Sequence, residues 1–198
     1  SSDPWFERAL SVYRASGTQE ARRGGRPVAG PKVGQGGIIL MNKKFILLAV
    51  LAHPDDESLG FGGTLSKYAA EGVETHLVTA TRGERGRFGS LGNGGDPVEV
   101  GRVREGELRA AAAVLGIREV SLLNYPDGAF DQVEATTAIR AVVSHVRRIQ
   151  PDVVVTFGPE GAYGHPDHIA ISQFTTAAIV CAADCGYRMD GGSEEVSL

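Results

Sequence analysis

Phe45-Ile-Leu-Leu-Ala-Val-Leu-Ala52 runs directly into His53-Pro-Asp-Asp-Glu57, and this junction decides the fold. An unbroken apolar run of this length, ended by proline and acids, predicts a strand buried on both faces. Such strands belong to parallel sheets clad in helices, and their carboxyl ends open onto ligand sites. The run is too short to span a bilayer and short for the apolar part of a secretory leader. It is therefore read as the first strand of the fold.

Working outward, strands and helices alternate. A helix is expected over 62–71, a second strand over 73–80, and a Gly- and Arg-rich loop over 81–96. A helix over 98–115 follows, with Val103, Leu108, Ala111, Ala112 and Leu115 as its apolar stripe and Gly116 as its stop. Then come a short strand over 120–123, a Tyr125-Pro-Asp-Gly128 turn, and a helix over 134–149 closed by Pro151. A strand over 153–157 and a helix from Pro166 to about Ala183 complete the series. This pattern predicts an α/β, Rossmann-like, doubly wound and mostly parallel sheet. With right-handed crossovers the strand order is 3-2-1-4, which sets strands one and four side by side.

A second polar cluster, His165-Pro-Asp-His168, follows the fourth strand just as the first follows strand one. The two clusters therefore converge at the switch point of the sheet. Imidazoles and carboxylates gathered there suit a catalytic zinc with three protein ligands and one open position. His53 and Asp56 point to one ion from the first loop, and His168 completes the set. Asp55, adjacent but free of the metal, is placed as general base for a metal-activated water. His165, one turn before His168, is placed as proton donor or oxyanion partner, and Asp167 as the residue fixing its tautomer.

Composition narrows the classes. The chain has 198 residues, 42% of them hydrophobic and 22% charged, with a net charge of −4. This suits one globular domain and excludes a basic nucleic-acid surface. Residues 1–40 carry net +3, leaving −7 on the remainder. Residues 17–37 are rich in Gly, Arg and Pro without apolar period, so 1–40 is expected to be a disordered extension. The domain itself is expected over 41–184, with 185–198 an irregular tail. Cys181 and Cys185 form neither a disulfide framework nor a zinc site, and are read as thiols in a reducing compartment. His76 and His145 are read as structural. Gly60, Gly62 and Gly63 lack dinucleotide-loop spacing. Arg82, Arg85, Arg87 and Phe88 are read as a solvated loop.

Five segments carry a family resemblance. They are Ala52-His-Pro-Asp-Asp-Glu-Ser-Leu-Gly-Phe-Gly-Gly63, Thr81-Arg-Gly-Glu84, Arg104-Glu-Gly-Glu-Leu108 with Leu115-Gly116, Tyr125-Pro-Asp-Gly128, and Gly161-Ala-Tyr-Gly-His-Pro-Asp-His168. In order and spacing, the chain from Met41 to Ala183 resembles the LmbE-like (PIG-L) zinc deacetylases. That family includes the GlcNAc-phosphatidylinositol and GlcNAc-inositol de-N-acetylases. The resemblance implies zinc, or Fe2+ in its place, on His53, Asp56 and His168, with Asp55 as base and His165 as acid. It adds Tyr163 at the oxyanion, and Arg104 and Asp127 on the polar groups of the sugar. The implied substrate is a small amino-sugar conjugate carrying an N-acetyl group. A cytoplasmic location is expected, without a membrane span, and a homo-oligomer is left open. Members continue well past the last helix, so the chain is read as C-terminally truncated. Two other functions stay open: a metallophosphoesterase, which would want a second metal with Glu57 and Asp167 as spare carboxylates, and a non-catalytic metal-binding homologue.

Overall fold

A computed structural model of the chain describes residues 44–86 and 96–189. The expected disordered extension and residues Arg87 and Phe88 lie outside the described residues, as does most of the expected tail. Four parallel strands form one sheet: β1 (Ile46–Leu51), β2 (Glu74–Thr81), β3 (Glu119–Tyr125) and β4 (Val153–Val155). Their order is β3-β2-β1-β4, as the crossover rule requires. The labelled helices are α1 (Asp56–Leu59), α2 (Gly62–Ala70), α3 (Pro97–Leu115), α4 (Ala135–Ile149) and α5 (Pro166–Ala183), with a 3-10 turn at Phe130–Gln132 and a short kinked helix at Gly161–Gly164 besides.

Strand alternation sorts β1 between two cores. Leu48, Val50 and Ala52 face Phe130, α4 residues Val142, Val143 and Val146, and α5 residues Ala170, Ile171 and Ala178. Leu47, Ala49 and Leu51 face Leu65 of α2 and Leu108 and Ala112 of α3. The run 47–52 is buried throughout because each side of the strand has its own helical layer. Register aligns Leu48 with His76 on one side and with Val154 on the other. Both polar clusters therefore leave the same edge of the sheet.

Three boundaries differ from expectation. The loop after β1 contains α1, whose four residues are too few to show a helical period in sequence. β3 is longer than 120–123. The β4 ladder stops at Val155, and Thr156 and Phe157 continue towards the site unpaired with β1. Residues 185–189 form neither helix nor strand.

Caps set the helix limits. Asp96 accepts from Val98 N with Pro97 at the first position of α3, and the Glu134 carboxylate takes the amides of Thr136 and Thr137 at α4. Gly116 ends α3 at φ +75°, and a Cβ there would stand 2.9 Å from that of Ala69. Gly116→Ala is expected to lower stability by about 1–2 kcal/mol through a strained left-handed alanine and the clash. Urea unfolding should show a lower midpoint at unchanged slope.

Candidate metal and catalytic site

β1 ends at Leu51, and the chain turns sharply over 52–55. Asp56 closes this turn, its Oδ2 accepting the amides of Ala52 (3.1 Å) and His53 (2.8 Å). The same carboxylate then faces His53 Nδ1 at 3.7 Å through Oδ2 and His168 Nε2 at 3.4 Å through Oδ1. His53 Nδ1 and His168 Nε2 are 3.1 Å apart. A tetrahedral zinc with bonds of about 2.0–2.1 Å spaces its ligand atoms about 3.4 Å apart. The donor set of two imidazole nitrogens and one carboxylate fits zinc in type; the two nitrogens stand near that spacing, and the carboxylate faces each of them through a different oxygen. His165 also brings a ring nitrogen near His53 and His168, and His53 groups separately with Asp127 and Asp167. Both alternatives, like Asp56, carry atoms already engaged by backbone amides. His165 Nδ1 caps α5 by accepting the Asp167 amide, and both carboxylates hold loop amides.

The far side of His53 fixes its tautomer. Its Nε2 lies 3.0 Å from Asp167 Oδ2 and 3.2 Å from Asp127 Oδ1, both acceptors only. The proton therefore sits on Nε2, and Nδ1 faces the other donors. Asp167 is fully buried and also accepts from the amides of Gly128 (2.7 Å) and Phe130 (3.0 Å). Asp167 bears on the tautomer of His165 through its backbone amide, which donates to Nδ1, and not through its carboxylate. That carboxylate supports His53 and the 126–130 loop. Asp127 accepts the Arg85 amide at 2.7 Å, and its own amide donates to Glu84 at 2.9 Å.

His168 is held differently. Its ring stacks on Phe157, with centroids 4.0 Å apart and an interplanar angle of 5°. Its Nδ1 is buried with no hydrogen-bond partner among the described residues. Stacking, rather than a carboxylate, thus orients this imidazole.

Burial alone would lower the pKa of His53. Hydrogen bonds to Asp127 and Asp167, with the charge of Asp56, outweigh it and raise the pKa from 6.5 to about 8. The metal-free protein therefore holds a proton at Nδ1, which any ion must displace. Because the folded pKa exceeds the unfolded one, this proton's stabilisation is complete below pH 6.5 and is lost as pH rises through about 8. Chelator-treated protein should lose about 2 kcal/mol across that window relative to His53→Gln, read by urea unfolding. Metal affinity should rise over the same window, since the ion needs neutral Nδ1.

A cavity of about 240 Å³ opens beside these donors, lined by residues that include Asp55, Arg104, Tyr163 and His165. Asp55 turns away from Asp56 because its backbone is left-handed, at φ 108°. Its Oδ2 meets Arg104 Nη2 at 2.9 Å, and Arg104 also donates to the Pro54 carbonyl. Burial pushes the Asp55 carboxyl up; Arg104 pulls it down and Asp56 adds to the rise. The Tyr163 hydroxyl is raised by burial and by Asp56 and Asp55, so it remains a donor at neutral pH. Burial lowers His165, and His53 and His168 lower it further. It is therefore a neutral imidazole, with Nδ1 engaged by the Asp167 amide and the proton on Nε2.

All nine sequence-selected residues lie around this one locus. Phe157, Glu84 and the Arg85 amide had been given no role. Phe157 was visible only as the end of an apolar strand, and the Thr81-Arg-Gly-Glu84 segment only as part of a resemblance. The Arg82 side chain pairs with Asn124 at 2.7 Å and Glu105 at 3.4 Å and so is not simply solvated.

The profile of the family described as PIG-L: GlcNAc-PI de-N-acetylase matches residues 48–179. The chain belongs to the PIG-L family. It is 38% identical over 165 residues to a 1D-myo-inositol 2-acetamido-2-deoxy-alpha-D-glucopyranoside deacetylase of Rhodococcus erythropolis, covering 73% of this chain and 56% of that protein. Among solved structures it resembles the N,N'-diacetylchitobiose deacetylase of Pyrococcus horikoshii, with TM-score 0.60, 29% identity, and coverage of 71% of this chain and 51% of that one. It also resembles a 4-carboxy-2-hydroxymuconate hydratase of Pseudomonas putida KT2440, with TM-score 0.63, 26% identity, and coverage of 72% and 59%. The chain spans about half the length of the curated PIG-L relatives it matches. Among the described residues no helix is long and apolar enough to cross a membrane.

Proposed function

We propose that this PIG-L chain removes the N-acetyl group from an N-acetylglucosamine-type conjugate, of which GlcNAc-inositol is the first to test. The observation that carries the reading is the triangle of His53 Nδ1, Asp56 and His168 Nε2, with Asp55 beside it but turned off it. His53, Asp56 and His168 would hold one zinc per chain, with Fe2+ as the alternative. A zinc bound there brings the pKa of its water to about 7 and polarises a carbonyl oxygen.

Asp55 receives the proton of the attacking water, a role that its upward-shifted carboxyl suits. Tyr163 and His165 donate hydrogen bonds to the oxygen of the acetyl group as charge develops on it. The proton held on Asp55 then goes to the departing amine, while neutral His165, its Nδ1 engaged by the Asp167 amide, keeps its Nε2–H on the acetyl oxygen. Asp127 reaches the cavity from the loop after β3 and Arg104 from α3, and both are assigned to the hydroxyls of the sugar. Asp167 acts behind His53 as an orienting carboxylate.

The phosphoesterase alternative needs spare carboxylates for a second metal. Glu57 and Asp167 are instead committed to amides, a hydroxyl and His53. The hydratase resemblance shows that this architecture also accompanies another chemistry. The test is therefore a substrate panel on zinc-loaded protein: an N-acetylglucosamine conjugate, a sugar phosphate and an unsaturated carboxylic acid. Acetate and free amine in equal amounts from the first alone are expected. Phosphate release, or hydration of the third without acetate, would replace the proposal.

A further inference from the structure

Glu57 is 1% exposed, and no ion pair holds it among the described residues. Its carboxylate lies one position beyond the metal-facing Asp56, yet it turns away from His53 and His168. Oε2 accepts the backbone amide of Asp55 at 3.0 Å, and Oε1 accepts the Ser58 hydroxyl at 2.6 Å. Burying a carboxylate on two neutral donors is costly, and a glutamine could still accept the Asp55 amide on its single carbonyl oxygen at lower desolvation cost.

The amide that Glu57 grips belongs to a strained residue. Asp55 is a non-glycine residue at φ 108° and ψ −28°, a conformation costing on the order of 1–3 kcal/mol. That backbone sends consecutive carboxylates different ways, Asp56 onto His53 and His168, Asp55 onto Arg104 and the cavity. The Asp55 carbonyl meanwhile accepts the amides of Ser58 and Leu59, which anchors the peptide's other side. Two bonds then hold the 54–55 peptide and with it the Asp55 φ angle: the charge-assisted bond from the Asp55 amide to Glu57, and the bond of Arg104 to the Pro54 carbonyl.

We propose that Glu57 is the positioning residue of the base: by gripping the Asp55 amide it keeps Asp55 left-handed, and so sets where the Asp55 carboxylate stands beside the His53–Asp56–His168 triangle. This rests on the deacetylase reading, in which Asp55 is the base. Glu57 touches neither substrate nor metal. Its loss should therefore act on turnover and leave metal content and KM almost unchanged. Misplacing a base by about 1 Å costs on the order of 100-fold in rate.

The test uses Glu57→Ala, Glu57→Asp and Glu57→Gln in the zinc-loaded chain, with GlcNAc-inositol as substrate. Glu57→Ala should lower kcat by about 10–100-fold with KM within threefold and zinc content unchanged. Glu57→Asp withdraws the oxygens by one methylene and should fall between it and wild type, which carries the test if the alanine variant does not fold. Glu57→Gln can still accept the Asp55 amide and should recover at least a third of wild-type kcat. Amide hydrogen exchange at Asp55 is read on the same proteins, with protection expected in wild type and Glu57→Gln and its loss in Glu57→Ala. Wild-type kcat in folded Glu57→Ala or Glu57→Asp overturns the proposal, and so does parallel loss of zinc in all three variants. If wild type releases no acetate, the deacetylase reading fails; exchange at Asp55 then still decides whether Glu57 holds the turn.

Discussion

Asp55→Asn is expected to reduce acetate release by about 10²–10⁴-fold while zinc stays bound. Asparagine keeps the shape and can accept a hydrogen bond at one atom, but cannot take a proton from water. Asp55 contributes no atom to the His53–Asp56–His168 triangle, so the ion should remain at wild-type occupancy. Its side chain is half exposed and its ion pair with Arg104 lies at the cavity edge, so stability should change little. Metal analysis and steady-state kinetics on one sample check both halves. Undiminished turnover with zinc bound would remove Asp55 as the base. Loss of zinc together with activity would make it a ligand.

His168→Ala should have the second large effect, and by a different route. It removes one corner of the triangle and should take zinc from about one per chain to near none, with acetate release falling in step. The ring is also stacked on Phe157 and 2% exposed, so thermal unfolding must confirm that the variant folds. Folded His168→Ala that still holds one zinc would shift the metal to the His53, Asp127 and Asp167 grouping.

The apolar strand 45–52 made the fold legible, because only a two-sided parallel strand tolerates such a run. The crossover rule then placed His53 and His168 together without any contact information. What sequence could not show was side-chain direction within the clusters. Asp167 sits beside His168 in sequence, yet its carboxylate points back to His53 and to the amides of Gly128 and Phe130, contacts made between distant loops. The left-handed backbone of Asp55 was equally invisible, since aspartate rarely adopts φ 108° without tertiary support. The same holds for Phe157, whose role depends on β4 ending early enough to bring its ring beneath His168.

The central claim, a single zinc on His53, Asp56 and His168 driving N-deacetylation, is tested most directly by titrating zinc into chelator-stripped chain while acetate release from GlcNAc-inositol is followed. Activity that rises from baseline and saturates at about one zinc per chain, with one amine formed for each acetate, is the predicted result. A folded chain that takes up one zinc and releases no acetate, or one whose acetate release is indifferent to zinc, would contradict it.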